Sequence, residues 1–194
     1  MPKKVDHRVR RRELTDAVIR ITIKGGLDAA TFREVAAEAG VSVRLVQYYF
    51  GSKDELLLAT QRHVAQRSVV RLREWIAATD GSPRAWLRAF MASFIPIDDE
   101  SRVAMLMYVA LHTASLVDPQ LARTEALEVP QGMHNAIADQ LRRGRLRAGV
   151  DPEREAALLT ALVPSLAQGV LDGMHTAEQA FTLIDYALDR AFRA

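Results

Sequence analysis

Apolar residues recur at helical spacing along almost the whole of this 194-residue chain, and no sustained period-2 run of β-branched residues interrupts them. Leu14, Ala17, Val18, Ile21 and Thr22 form one stripe, which Gly25-Gly26 ends with residues that accept positive φ. Thr31 with Glu34 three residues on is a capping signature for a second helix over about 31–39. Gly40 stops it, and Ser42 caps a third helix running to about Phe50. Ser52 with Glu55 opens a long fourth over about 53–78, which Asp80-Gly81-Ser82-Pro83 closes. Pro83 suits the first turn of a fifth, carrying Trp86, Leu87, Phe90, Met91 and Phe94. The sixth has an acidic start at Asp98-Asp99-Glu100 and is apolar on all sides over 103–111, which predicts burial in the body. Asp118-Pro119 opens a seventh, interrupted near Pro130 and ending by Gly149. Asp151-Pro152-Glu153 starts the eighth, and Gly173 to Thr176 separates it from a ninth ending near Phe192. The expected fold is all-α: nine helices, with a three-helix N-terminal head in residues 1–55 and a larger helical body in residues 56–194.

Charge adds a direction to this picture. The chain carries +2 overall, but residues 1–12 hold six Lys/Arg and one Asp, or +5, which leaves −3 for the rest. A basic arm on a slightly acidic body points to an anionic partner met at one end. Only residues 1–7 read as disordered. The absence of cysteine excludes a disulfide framework, thiolate catalysis and Cys-ligated zinc. The longest apolar run, Val103 to Leu111, is far shorter than the roughly 20 residues that span a bilayer. Arg20 and Lys24 interrupt the first apolar stretch, so a secretory leader is not expected and the cytoplasm is. No His-Glu-x-x-His, phosphate loop or Gly-x-Ser-x-Gly elbow occurs, so no catalytic residue, metal or cofactor is expected and an enzyme is only a remote alternative.

Residues 31–56 hold the densest constraints. Ala36 lies four before Gly40, where a close helix crossing leaves room for a methyl group. Val35, Ala39, Val41, Val46 and Tyr49 fall where two steeply crossed helices share a small core. This is the spacing of a helix-turn-helix, whose second helix enters the DNA major groove, and equally of any αα-corner. The polar face separates the two. Ser42, Arg44, Gln47 and Tyr48 stay outside that core. Arg pairs with guanine and Gln with adenine through two hydrogen bonds each. Tyr48, Tyr49 and Lys53 are placed for phosphates, and Thr31 and Arg33 for the opposite backbone.

The run Thr31-Phe32-Arg33-Glu34-Val35-Ala36-Ala37-Glu38-Ala39-Gly40-Val41-Ser42, then Tyr48-Tyr49-Phe50-Gly51-Ser52-Lys53-Asp54-Glu55-Leu56-Leu57, resembles the DNA-binding segment of TetR-family transcriptional regulators. The likeness covers about the first 60 residues. It departs at Gln47, where the family usually has Tyr, and at Arg44, where a Gly-like residue is frequent, so base contacts here are particular to this chain. The resemblance implies an all-helical homodimer that binds a palindromic operator in double-stranded DNA. It also implies, for most members, a repressor released by a small molecule, here of unknown identity. The Pro-containing eighth helix is similar to that of the choline-responsive group.

Two further constellations follow from periodicity. The eighth helix has one stripe at Leu159, Val163, Leu166 and Val170, and a second at Leu158, Leu162, Ser165 and Gly169. A second stripe with small residues suggests a partner helix, and Phe181, Ile184, Leu188 and Phe192 on the ninth supply another, for a four-helix dimer interface. Burial of both within a monomer is the alternative. Pro164 is expected to kink or open the eighth helix. Trp86, Phe90, Phe94, Met105, Tyr108, His112 and Met174 are candidate effector contacts, because Met and aromatic side chains adapt to irregular apolar ligands. The same residues at helical spacing also read as plain core, and a DNA-binding regulator without an effector is the second functional reading.

Overall fold

The computed structural model describes residues 7–117 and 128–193. Among them lie nine α-helices: α1 (His7–Gly25), α2 (Phe32–Glu38), α3 (Val43–Phe50), α4 (Lys53–Ala77), α5 (Pro83–Ala92), α6 (Asp99–Val117), α7 (Glu128–Arg143), α8 (Pro152–Leu171) and α9 (Ala177–Ala191). A single 3-10 turn, Leu27–Ala29, joins α1 to α2. The described residues contain no strand, only one antiparallel bridge between Leu146 and Phe192 that ties the end of α9 to the loop after α7.

The caps do what their chemistry dictates. The hydroxyls of Thr31, Ser42 and Ser52 accept from the amides of Glu34, Leu45 and Glu55 at 3.2, 3.2 and 3.1 Å, each satisfying a donor that the first helical turn leaves open. Thr176 and Gln179 close a reciprocal capping box at α9.

Four of the six basic residues of the arm, Arg8, Arg10, Arg11 and Arg12, are helical in α1, in keeping with disorder expected only for residues 1–7; the other two lie outside the described residues. α7 is continuous from Glu128 through Pro130 to Arg143, so it ends before Gly149 as expected. Its expected start at Asp118-Pro119 lies outside the described residues. α8 runs unbroken through Pro164.

Two apolar cores form. The first joins α1–α4 around Leu14, Val18, Val35, Val46, Phe50 and Leu56. The second fills the body between α5, α7, α8 and α9 with Leu87, Met91, Ile137, Leu141, Leu159, Ile184 and Leu188. α6 belongs to both. Its Val103 and Met107 are 1% exposed and pack into the head core, while Met105 packs into the body. That explains its apolar character all round: the helix is not sunk in one core but pressed between two.

Candidate nucleic-acid interface and effector cavity

The head turns at Gly40, whose φ of +65° an L side chain rarely adopts. Ala36, 3% exposed, packs at the crossing of α2 and α3. Val46 and Phe50 turn inward from α3. The opposite face carries Arg44, Gln47 and Tyr48 in solvent, with Tyr48 71% exposed. Thr31 and Arg33 at the head of α2, Ser42 at the head of α3 and Lys53 at the head of α4 are exposed as well. Tyr49 is half-buried; its ring lies 5.4 Å from His7 and edge-on to Tyr48 at 5.4 Å, and its carbonyl accepts from Arg11 Nη1 at 2.7 Å. The Arg11 guanidinium also sits over the Phe50 ring at 4.6 Å. Arg11 is therefore a brace on the end of α3 rather than part of a loose arm. Sequence reasoning missed Val43, 39% exposed one turn before Gln47; an apolar side chain there suits a thymine methyl.

The body holds a cavity of about 320 Å³. Phe90, Phe94, Met105 and Tyr108 line it, as the sequence suggests, with Met133. Trp86 and His112 stand behind the wall: Trp86 stacks on Phe90 at 4.9 Å and His112 on Tyr108 at 5.6 Å. Met174 is 73% exposed in the turn after α8 and takes no part. The wall from α4 was not foreseen. Gln61, Ser68, Arg71 and Leu72 face the cavity, because the helix that starts at the DNA end continues past it. Burial pushes the Tyr108 phenol up from its ordinary value, so it stays a neutral donor. Arg71 Nη1 pairs with Asp98 Oδ2 at 3.2 Å. Burial alone would raise the Asp98 carboxyl; hydrogen bonds from the Ser101 amide and hydroxyl, with the Arg71 charge, outweigh it and hold that carboxyl below its ordinary value.

On α8, Leu158 and Ser165 are exposed and Leu162 half-buried. Gly169 is buried against its own chain, since a Cβ there would stand 2.7 Å from the His175 ring. Ile184 and Leu188 of α9 are 0% exposed in the body core, and Phe181 packs against that core. The exposed large hydrophobic residues of α9 are Leu183 and Tyr186, 39% and 61% exposed.

A glycine-turned helix pair with Arg44, Gln47 and Tyr48 outward, joined by one long helix to a body with an apolar cavity, defines a helix-turn-helix regulator of transcription. Residues 14–60 match the family described as bacterial regulatory proteins, tetR family, and residues 83–193 match the BetI-type transcriptional repressor C-terminal domain. The HTH-type transcriptional regulator BetI of Burkholderia mallei is 34% identical over 175 residues, 89% of this chain and 88% of that protein. PksA of Bacillus subtilis, also an HTH-type transcriptional regulator, is 29% identical over 167 residues, 86% and 81% of the two chains. A transcriptional regulator from Rhodococcus sp. Rha1 superposes with a TM-score of 0.78 at 25% identity, covering 95% of this chain and 98% of that one. A regulator from Saccharomonospora viridis, solved in complex with choline, shares the fold at a TM-score of 0.79 and 21% identity, covering 96% and 100%. The chain belongs to the tetR family of bacterial regulatory proteins. It is a DNA-binding transcriptional regulator and not an enzyme.

Proposed function

We propose that this chain is a cytoplasmic repressor that binds a palindromic operator as a homodimer and leaves it when a small molecule enters the cavity. The observation that carries the reading is α4. Its 25 residues extend about 37 Å at the usual helical rise and carry both Lys53 at the DNA face and Arg71 and Leu72 on the cavity wall. A ligand that binds one position of α4 better than another moves the head with it, and only such differential affinity drives the shift. A hydrogen bond and an ion pair tie α4 to its neighbours: His63 Nε2 lies 2.9 Å from Asp16 Oδ1 of α1, and Arg67 lies 2.8 Å from Glu100 of α6. The choline bound by the Saccharomonospora viridis regulator supports a small-molecule site in this body fold.

On this reading residues 1–55 form the DNA head and 56–194 the effector and dimerisation body. Arg44 and Gln47 read base edges, while Thr31, Arg33, Ser42, Tyr48, Tyr49 and Lys53 hold phosphates. Leu158, Leu162 and Ser165 of α8 join Leu183 and Tyr186 of α9 across a two-fold axis, which sets two recognition helices on successive major grooves. The test is selection of bound fragments from genomic DNA, followed by gel shifts across a salt series. Enrichment of a dyad-symmetric sequence, with affinity falling linearly on a log–log salt plot, is the expected result. Equal binding to random sequences, or no salt dependence, defeats the reading.

A further inference from the structure

Among the described residues that line the cavity, Arg71 is the one charged side chain, and no carboxylate lines it. Asp98, the partner of Arg71, stands off the wall and engages Nη1 alone. Arg71 Nε is shut off from solvent and has no hydrogen-bond partner. A buried donor left unmade loses the solvation that water would give it, and a guanidinium holds its donors in a fixed fork suited to a carboxylate. The rest of the wall is mostly apolar and aromatic, with Gln61, Ser68, Ser93, Ser101 and the Tyr108 hydroxyl as its uncharged polar groups. Aromatic faces such as Phe90 and Phe94 attract cations, but a permanent cation here meets the Arg71 charge without a wall carboxylate to offset it.

We infer that the effector is a small amphipathic anion, a carboxylate on an apolar chain or ring, paired with the Arg71 guanidinium, which turns toward it so that Nε also gains an acceptor, with its apolar part among Phe90, Phe94 and Met105. The inference rests on the cavity being the effector site. It sets this chain apart from the choline-bound relative in the charge of what it accepts, while keeping the same architecture.

The test uses the intact protein and three probes with one tail: octanoate, octanol and octyltrimethylammonium. Calorimetry measures binding, and gel shifts measure release of the selected operator. Octanoate is expected to bind about tenfold or more tighter than octanol, with the ammonium weakest. Arg71→Met brings octanoate down to the octanol level and leaves octanol unchanged, which also shows that the cavity is intact. Asp98→Asn removes the competing carboxylate and tightens octanoate. Octyltrimethylammonium binding as well as octanoate, or octanoate affinity surviving Arg71→Met, overturns the anion assignment and leaves the effector reading standing if those probes release DNA. Binding of none of the three, with operator affinity unchanged, removes the effector role of this cavity together with the anion.

Discussion

Arg44, Gln47 and Tyr48 share the solvent face of α3 at spacings of three and four, while Val46 and Phe50 hold the other face in the core. The helix is thereby fixed by two side chains and presents three to solvent. Gln47→Ala is expected to reduce discrimination at one operator position by about 1–3 kcal/mol, and Arg44→Ala likewise at another. Lys53→Ala instead weakens binding to all sequences and lowers the salt slope by about one. Competition gel shifts against single-base operator variants separate the two patterns, and a uniform loss on Gln47→Ala would remove its role as a reader. The outward face of α3 was legible because buried and polar positions alternate at helical spacing around a known turn. Arg11 was not: a charge run in sequence says nothing about which guanidinium finds a carbonyl and a ring, as Arg11 finds Tyr49 and Phe50.

Among the elements, α6 shows most directly how packing sets character. Met107 is 1% exposed in the head core, whereas Met105, half a turn away, packs into the body and lines the cavity. Met107→Ala is expected to cost about 2–5 kcal/mol in chemical denaturation and to weaken operator binding, because it opens the head from below. Met105→Ala spares DNA affinity and alters effector binding. If Met107→Ala leaves operator affinity intact despite the lost stability, the head does not depend on this contact. Helix positions were readable because caps such as Thr31, Ser42 and Thr176 act within three residues of themselves. What covers an apolar face was not readable. α9 has one strong stripe, and Ile184 and Leu188 spend it on their own core, while the outward face mixes Leu183 and Tyr186 with polar residues. The cavity wall from α4 was hidden for the same reason: Gln61, Ser68 and Arg71 read as a solvent face until a neighbouring helix is laid against them.

At the scale of the whole molecule, the proposed dimer rests on the outward residues of α8 and α9. Leu158, 65% exposed, and Tyr186, 61% exposed, are the large apolar side chains that such a contact would cover, and a two-fold contact repeats every interaction. Leu158→Asp is expected to shift the protein to a monomer in sedimentation and to cost most of its operator affinity, while leaving chain stability nearly unchanged because the side chain is exposed. An unchanged sedimentation coefficient would place the interface elsewhere. The placement of Val103 and Met107 in the head core bears on how such regulators can be recombined. A head cut from this chain after residue 60, at the end of its family match, lacks three buried side chains of its core, Val64 of α4 as well as Val103 and Met107 of α6. Grafted onto another body, it must find equivalents on the new host's fourth and sixth helices. Exchange of operator specificity between relatives therefore succeeds as a transfer of two surfaces, the head and the helix faces beneath it.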